Sequence, residues 1–289
     1  MNQEHNQCLI CNSTKITELE KFNKNNLVQC GDCGFIFCKK IPTTSELINH
    51  YKSYPRGEKI SNITIKRYNQ LLDFFESYRK TNNILDIGCG NGHFLEVAKK
   101  RGWNVHGTEF TDEAIKICVN KNIEMQQGVL NPENYYSIKF DIVVSFEVIE
   151  HVNNPKTEIE NIINIINPNG LFYFTTPNFN SLSRFILKEK WSVIEYPEHL
   201  SYYTAKTMNR FLSKQGLKKI KIETTGFSFN RLQRDSTHLQ KEIKNSNKDE
   251  ELREKTETSL LFKTIKKVIN FILNLFKIGD SLKGIYQKT

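Results

Sequence analysis

Ile84-Leu85-Asp86-Ile87-Gly88-Cys89-Gly90-Asn91-Gly92-His93-Phe94-Leu95 reads as a buried strand running into a glycine-rich turn and out into an amphipathic helix. Glycines at 88, 90 and 92 let main chain approach a ligand with no Cβ in the way. The helix that follows aims its positive end at whatever sits there. The spacing is G-x-G-x-G. The dinucleotide fingerprint wants a glycine at position 93, where this chain has His93, and no Gly-Lys-Ser/Thr follows as in a phosphate loop. Asp86, inside the strand end, suits an amino group or a cation better than a phosphate. Val105-His106-Gly107-Thr108-Glu109 is a second strand ending in an acid. Its distance from the turn puts Glu109 where a ribose diol is held in nucleotide-binding α/β sheets.

From Asn83 onward, strand and helix patterns alternate, which predicts an α/β fold with a mostly parallel sheet and crossover helices. Strands are expected near 83–87, 103–109, 122–126, 140–146, 170–176, 218–227 and 281–288, and helices near 92–101, 111–120, 156–166 and 204–215. Asn167-Pro168-Asn169-Gly170 is expected to close one helix and open the fifth strand. Ile60, Ile63, Tyr68, Leu71, Leu72, Phe75 and Tyr78 recur at helical spacing, so residues 60–80 read as a helix covering the sheet. Residues 229–258 are polar and read as a mobile loop around Asn245–Glu251.

The first four of seven cysteines are Cys8, Cys11, Cys30 and Cys33: C-x-x-C, eighteen residues, C-x-x-C. That spacing fits a zinc ribbon in which four thiolates fill a tetrahedral structural site with no open position. Cys38 is a spare, expected to pack near it. Met1–His5 has no basic start or apolar stretch, so the expectation is a cytoplasmic protein, in which disulfides do not persist. The 289 residues carry a formal charge of +9, distributed as +4 over 1–80, −5 over 81–200 and +10 over 201–289. The glycine-rich region is thus the least basic part of the chain, which disfavours a nucleic-acid partner there. The expected organisation is a ribbon and linker over 1–55, a sheet domain over 56–228, a polar loop and amphipathic helix inserted at 229–278, and a last strand at 279–289.

These residues resemble the class I S-adenosylmethionine-dependent methyltransferases. Asp86–Gly92 looks like their first motif, and Glu109 matches the acid that grips the cofactor ribose. Phe140–Val152 is similar to the fourth-strand motif of the subgroup that includes quinone-biosynthesis O-methyltransferases. Pro197–Tyr203, the Gly279–Lys283 strand and the cysteine-rich start extend the likeness to methyltransferases of polysaccharide and secondary-metabolite pathways. The resemblance implies a Rossmann-like sheet with an antiparallel last strand and S-adenosylmethionine as cofactor. It places Asp86, Gly88, Cys89, Gly90, Gly92, Glu109, Phe110 and Phe146 around that cofactor. Many relatives carry an acid for the adenine amine where this chain has Gly128-Val129-Leu130. Carbon methyltransferases of sugar pathways with a similar start carry a further C-terminal domain that this chain lacks, which tilts the expectation to oxygen.

Methyl transfer from a sulfonium to a hydroxyl needs in-line positioning and removal of a proton. His151, at the carboxyl edge of the fourth strand, and His199, in the insert expected to cover the acceptor, are the candidate catalytic bases; each also reads as a structural anchor. No further ligand is legible beside Glu147 and Glu150, so no divalent-ion cluster is expected there. Trp191, Tyr196, Tyr202 and Tyr203 read either as a stacking surface for a sugar or as core. The expected acceptor is a saccharide or small-metabolite hydroxyl in cell-surface glycan synthesis. An RNA methyltransferase using the ribbon as a grip, and a non-catalytic cofactor-binding protein, are the alternatives. Residues 259–278 place Lys263, Lys266, Lys267, Asn270, Asn274 and Lys277 on one polar stripe with apolar residues around the remainder. They read as a sandwiched core helix or as an interfacial helix, lysines at anionic headgroups, that brings the enzyme to the inner membrane face.

Overall fold

The computed structural model describes residues 3–43, 45–47, 50, 60–227 and 260–289. The linker end near residue 55 and the polar stretch 229–258 lie outside the described residues. Eleven strands are described: β1 (Ile16–Glu18), β2 (Leu27–Cys30), β3 (Ile36–Cys38), β4 (Asn83–Ile87), β5 (Asn104–Glu109), β6 (Glu124–Gln127), β7 (Phe140–Phe146), β8 (Ile166–Pro177), β9 (Ser201–Tyr202), β10 (Leu217–Thr225) and β11 (Ser281–Lys288). The α-helices used below are α1 (Asn62–Phe75), α2 (His93–Lys100), α3 (Asp112–Asn120), α4 (Pro155–Ile165), α5 (Leu182–Leu187), α6 (Ala205–Lys214) and α7 (Leu260–Leu275).

Seven strands form the central sheet in the order β10-β11-β8-β7-β4-β5-β6. Neighbours from β8 to β6 are parallel, and β11 runs antiparallel to both β8 and β10. This is the Rossmann-like methyltransferase sheet with its antiparallel last strand. β4 and β7 are buried almost without interruption because helices cover both faces. Successive residues then feed opposite layers: Ile84, Ile142 and Val144 pack with Phe94, Leu95 and Leu72, whereas Leu85 and Val143 pack with Ile159, Ile162 and Phe172. The chain order reverses between β4 and β7, and there the carboxyl ends of the strands open a crevice.

Two expectations shift. Asn167–Gly170 does not precede the fifth strand but lies within it, since β8 starts at Ile166 directly after α4. The stripe on α7 faces inward. Asn270 Oδ1 accepts from the Gly226 amide at 2.9 Å, Asn274 Oδ1 from the Thr224 amide at 3.0 Å, and Lys277 Nζ donates to the Ile222 carbonyl at 2.9 Å. The polar residues thus satisfy backbone groups along the sheet-edge strand β10, and among the described residues the apolar side of α7 from Ile265 onward is largely exposed.

A second sheet, β1-β2-β3-β9, joins the cysteine-rich start to the insert between β8 and α6, with Ile36 opposite Tyr202 and Phe37 opposite Ser201. Trp191, Tyr202 and Tyr203 are buried and pack beneath this junction, so they are core rather than a stacking surface. Tyr196 is half-buried and its hydroxyl donates to Glu46 at 3.2 Å. Cys38 is buried away from the other cysteines, beside Phe22 and Leu27.

Candidate active site

The turn after β4 has left-handed backbone at all three glycines: φ is 67° at Gly88, 53° at Gly90 and 71° at Gly92. Each conformation is one that a side chain resists. At Gly88 a Cβ would lie 2.6 Å from Val148 Cγ2, and at Gly92 it would lie 2.7 Å from Ile123 Cδ1; at Gly90 it would meet nothing within 4 Å. Gly88 and Gly92 are therefore glycines for packing, whereas Gly90 leaves open space at the crevice. Glu109, at the end of β5, reaches across: its carboxylate accepts from the Gly90 amide at 3.1 Å and from the Phe110 amide at 2.8 Å. The Cys89 amide donates to the Thr108 carbonyl at 3.0 Å, and its thiol turns inward to 3.9 Å from Cys118 Sγ, leaving only main chain toward the crevice. Phe110 is exposed at the rim. Phe146 sits in an aromatic group with Phe94, Tyr68 and Tyr173, at centroid distances of 5.1, 5.7 and 5.5 Å.

Asp86 is buried, and its Oδ1 has no hydrogen-bond partner among the described residues. Burial, with Cys118 and Glu109 nearby, pushes its carboxyl well above the ordinary range. An orphaned buried carboxyl oxygen, an open glycine and an acid at the next strand end fit a ligand carrying an amino group and a ribose, and so fit S-adenosylmethionine.

The second half of the site follows β7. Glu147 has φ of 53°, an uncommon left-handed value for a non-glycine, and its amide donates to the Thr175 carbonyl at 3.0 Å. The chain then packs Val148 against Gly88 and delivers Glu150 and His151. The carbonyl of Glu150 accepts from the amides of Leu200 at 2.8 Å and Ser201 at 2.9 Å, which brings His199 to His151 with ring centroids 4.7 Å apart. His151 Nδ1 donates to the Glu198 carbonyl and His199 Nδ1 to the Val193 carbonyl, each at 2.6 Å. A carbonyl can only accept, so each ring is held with Nδ1 protonated. Burial pushes the His151 imidazole down to about 4, which leaves Nε2 a free base at neutral pH. The Glu150 carboxyl is buried 3.9 Å from His151 Nε2, accepts from Thr176 Oγ1 at 2.9 Å, and is raised by burial and by Glu147. Donor atoms of Glu150, His151 and His199 lie within 4.8 Å of one another, a set able to hold a divalent ion. This corrects the expectation of no such cluster: the third ligand, His199, is 49 residues distant in sequence from Glu150 and carries no spacing signal.

The four cysteines at the start also converge, with all four sulfurs within 4.8 Å. Cys8 Sγ is 3.5 Å from Cys33 Sγ, and Cys11 Sγ is 3.5 Å from Cys30 Sγ. Zn–S bonds of ~2.3 Å in a tetrahedron place sulfurs ~3.8 Å apart, so the cluster fits a zinc ribbon. Both knuckles have one design: the amide of Asn12 donates to the Cys8 carbonyl and that of Gly34 to the Cys30 carbonyl, each at 2.9 Å and each with positive φ.

The sheet order, the glycine turn and the acid at the end of β5 are those of the class I methyltransferase fold. A family model described as "Methyltransferase domain" matches residues 61–222, more than half of the chain, and the chain belongs to that family. A ubiquinone biosynthesis O-methyltransferase from Coxiella burnetii is 32% identical over 108 residues, 35% of this chain and 46% of that protein. The chain therefore spans about half the length of the curated relatives it matches. Among solved structures, a SAM-dependent methyltransferase from Archaeoglobus fulgidus aligns with a TM-score of 0.52 at 19% identity, over 85% of this chain and 100% of that one. N-methyltransferase NodS from Bradyrhizobium japonicum, in complex with S-adenosyl-L-homocysteine, gives 0.51 at 14% identity, over 85% and 99%. These likenesses are of fold.

Proposed function

We propose that this protein transfers a methyl group from S-adenosylmethionine to a hydroxyl of a small acceptor, of which a saccharide destined for a cell-surface glycan is the class we favour. The observation that carries the reading is the histidine pair. Two imidazoles, each with Nδ1 tied to a carbonyl, lie side by side at the loop that packs on Gly88, and burial keeps the His151 ring neutral. When bound, the cofactor supplies an activated methyl group on a sulfonium. Asp86, Gly90 and Glu109 would hold it, through its amino group, by main-chain approach and through its ribose. His151 or His199 takes the hydroxyl proton at Nε2, and the insert carrying His199 excludes water. The name of the Coxiella relative, an O-methyltransferase, supports oxygen as the target atom. The four thiolates hold a structural zinc ion in this reading, and the acceptor is a small molecule or glycan rather than nucleic acid.

The Glu150, His151 and His199 cluster favours one second reading: these three groups would hold a divalent ion, which would supply Lewis-acid activation of the acceptor hydroxyl. Turnover is assayed with a panel of catechols, phenols and sugars, reading S-adenosylhomocysteine release. His151→Ala or His199→Ala is expected to lower it roughly 10²–10⁴-fold with cofactor affinity intact. Wild-type rates unaffected by chelator support direct base catalysis; rates lost on dialysis against chelator and restored by Mg²⁺ support the ion. If neither substitution slows turnover, the histidine reading fails.

A further inference from the structure

Helix α7 is held to the protein by its polar side. Asn270, Asn274 and Lys277 bond the backbone of β10, and Thr224 Oγ1 donates to the Leu273 carbonyl at 3.0 Å. Of its apolar side chains from Ile265 onward only Leu273 is buried. Ile265, Val268, Ile269, Phe271, Ile272 and Leu275, with Phe276 just beyond, are 44–68% exposed. At ~100° per residue these seven cover an arc of about 160°, and at ~1.5 Å per residue they run for about 17 Å. An ordinary surface helix is the reverse, with its apolar arc against the core. An exposed apolar surface this continuous marks an interaction site.

The charge around it selects the occupant. No Asp or Glu occurs from residue 258 to 279, whereas Lys263, Lys266, Lys267 and Lys277 do. Lys267 is exposed on α7, as are Lys218 and Lys219 on the strand to which α7 is bound. A second copy would set these lysines against their own equivalents. Anionic lipid headgroups would neutralise them while the acyl boundary takes up Phe271, Leu275 and Phe276. Among the described residues no helix is long and apolar enough to cross a membrane, so this helix would lie in the interface plane. We propose that α7 is a peripheral membrane anchor which docks on a surface rich in anionic phospholipid, with its polar side bolted to β10 and its apolar arc in the lipid.

The test is flotation of the full-length protein with vesicles of phosphatidylglycerol and phosphatidylcholine, and with phosphatidylcholine alone, at low and physiological salt. Wild type is expected to bind the anionic vesicles at least ~10-fold more tightly than the neutral ones, weakening as salt rises. The double variant Phe271→Ser/Leu275→Ser is expected to lose at least ~10-fold of that binding. Both side chains are exposed, so its thermal unfolding should match wild type, and that comparison keeps a folding defect from imitating the result. Absence of vesicle binding, or binding unchanged in the double variant, overturns the proposal. So does sedimentation showing a dimer that the double variant splits, which would assign the arc to a second copy.

Discussion

At the scale of single residues, Glu109 and His151 carry the sharpest consequences. Glu109 closes the crevice by accepting from Gly90 and Phe110, and in the proposed complex it takes the ribose as well. Glu109→Ala removes a charge-assisted contact of about 1.5–3 kcal/mol. Calorimetry with S-adenosylhomocysteine should therefore show affinity at least ~10-fold weaker; unchanged affinity would remove Glu109 from the site. His151 predicts a pH effect. Its native value is about 4, against ~6.5 in an unfolded chain. Between those values the unfolded chain binds a proton that the native protein does not, so this residue makes stability fall as pH drops from about 6.5 to 4, by roughly 3 kcal/mol in total. The raised Glu150 carboxyl contributes a slope of opposite sign, present in wild type and variant alike. Urea midpoints from pH 4 to 7 should accordingly fall less steeply in His151→Asn than in wild type, and equal slopes would show that His151 titrates normally. Both residues were legible as candidates, because an acid at a strand end and a histidine after one are local signals. Their partners were not: Leu200 and Ser201 bond to Glu150 across about fifty residues of chain.

At the scale of the element, the glycine turn separates two reasons for having no side chain. Gly88→Ala drives a Cβ to within 2.6 Å of Val148, on the loop that delivers Glu150 and His151. Gly90→Ala meets no atom and adds only left-handed strain of about 1 kcal/mol. The first substitution should lower the melting temperature by several degrees and impair turnover. The second should melt within a few degrees of wild type yet bind S-adenosylhomocysteine at least ~10-fold more weakly, because its methyl group enters the crevice. Calorimetry and thermal unfolding of both variants check the pair; normal cofactor affinity in Gly90→Ala would place the ligand elsewhere. Helix α7 gives the converse lesson. Its stripe was plain in the periodicity, but the period records only that two faces differ. Unpaired amide and carbonyl groups on the edge strand β10 drew the asparagines and the lysine inward.

Across the whole molecule, the ribbon and the candidate active site are joined by hydrogen bonds. β3 pairs with β9, the Cys38 amide donates to the Leu200 carbonyl at 2.8 Å, the Leu200 amide donates to Glu150, and His5 Nε2 donates to Asn153 Oδ1 at 3.0 Å. The four-thiolate cluster should hold about one zinc ion per chain by elemental analysis. Stripping it should lower turnover at least ~10-fold while S-adenosylhomocysteine affinity changes less than about twofold, because the glycine turn stands on the other sheet. Metal-free protein of full activity would make the ribbon an independent appendage. The sequence by itself determined the parallel sheet, the glycine turn, Glu109 and the cysteine quartet. Those features are written in apolar periodicity and short spacings, which depend on neighbours a few residues away. Tertiary structure alone decided that His199 meets His151 and Glu150, that the ribbon takes its fourth strand from the insert, and that α7 turns its apolar side outward. Each is a pairing of backbone groups or side chains far apart in the chain, set by which unsatisfied donors and acceptors packing leaves facing one another.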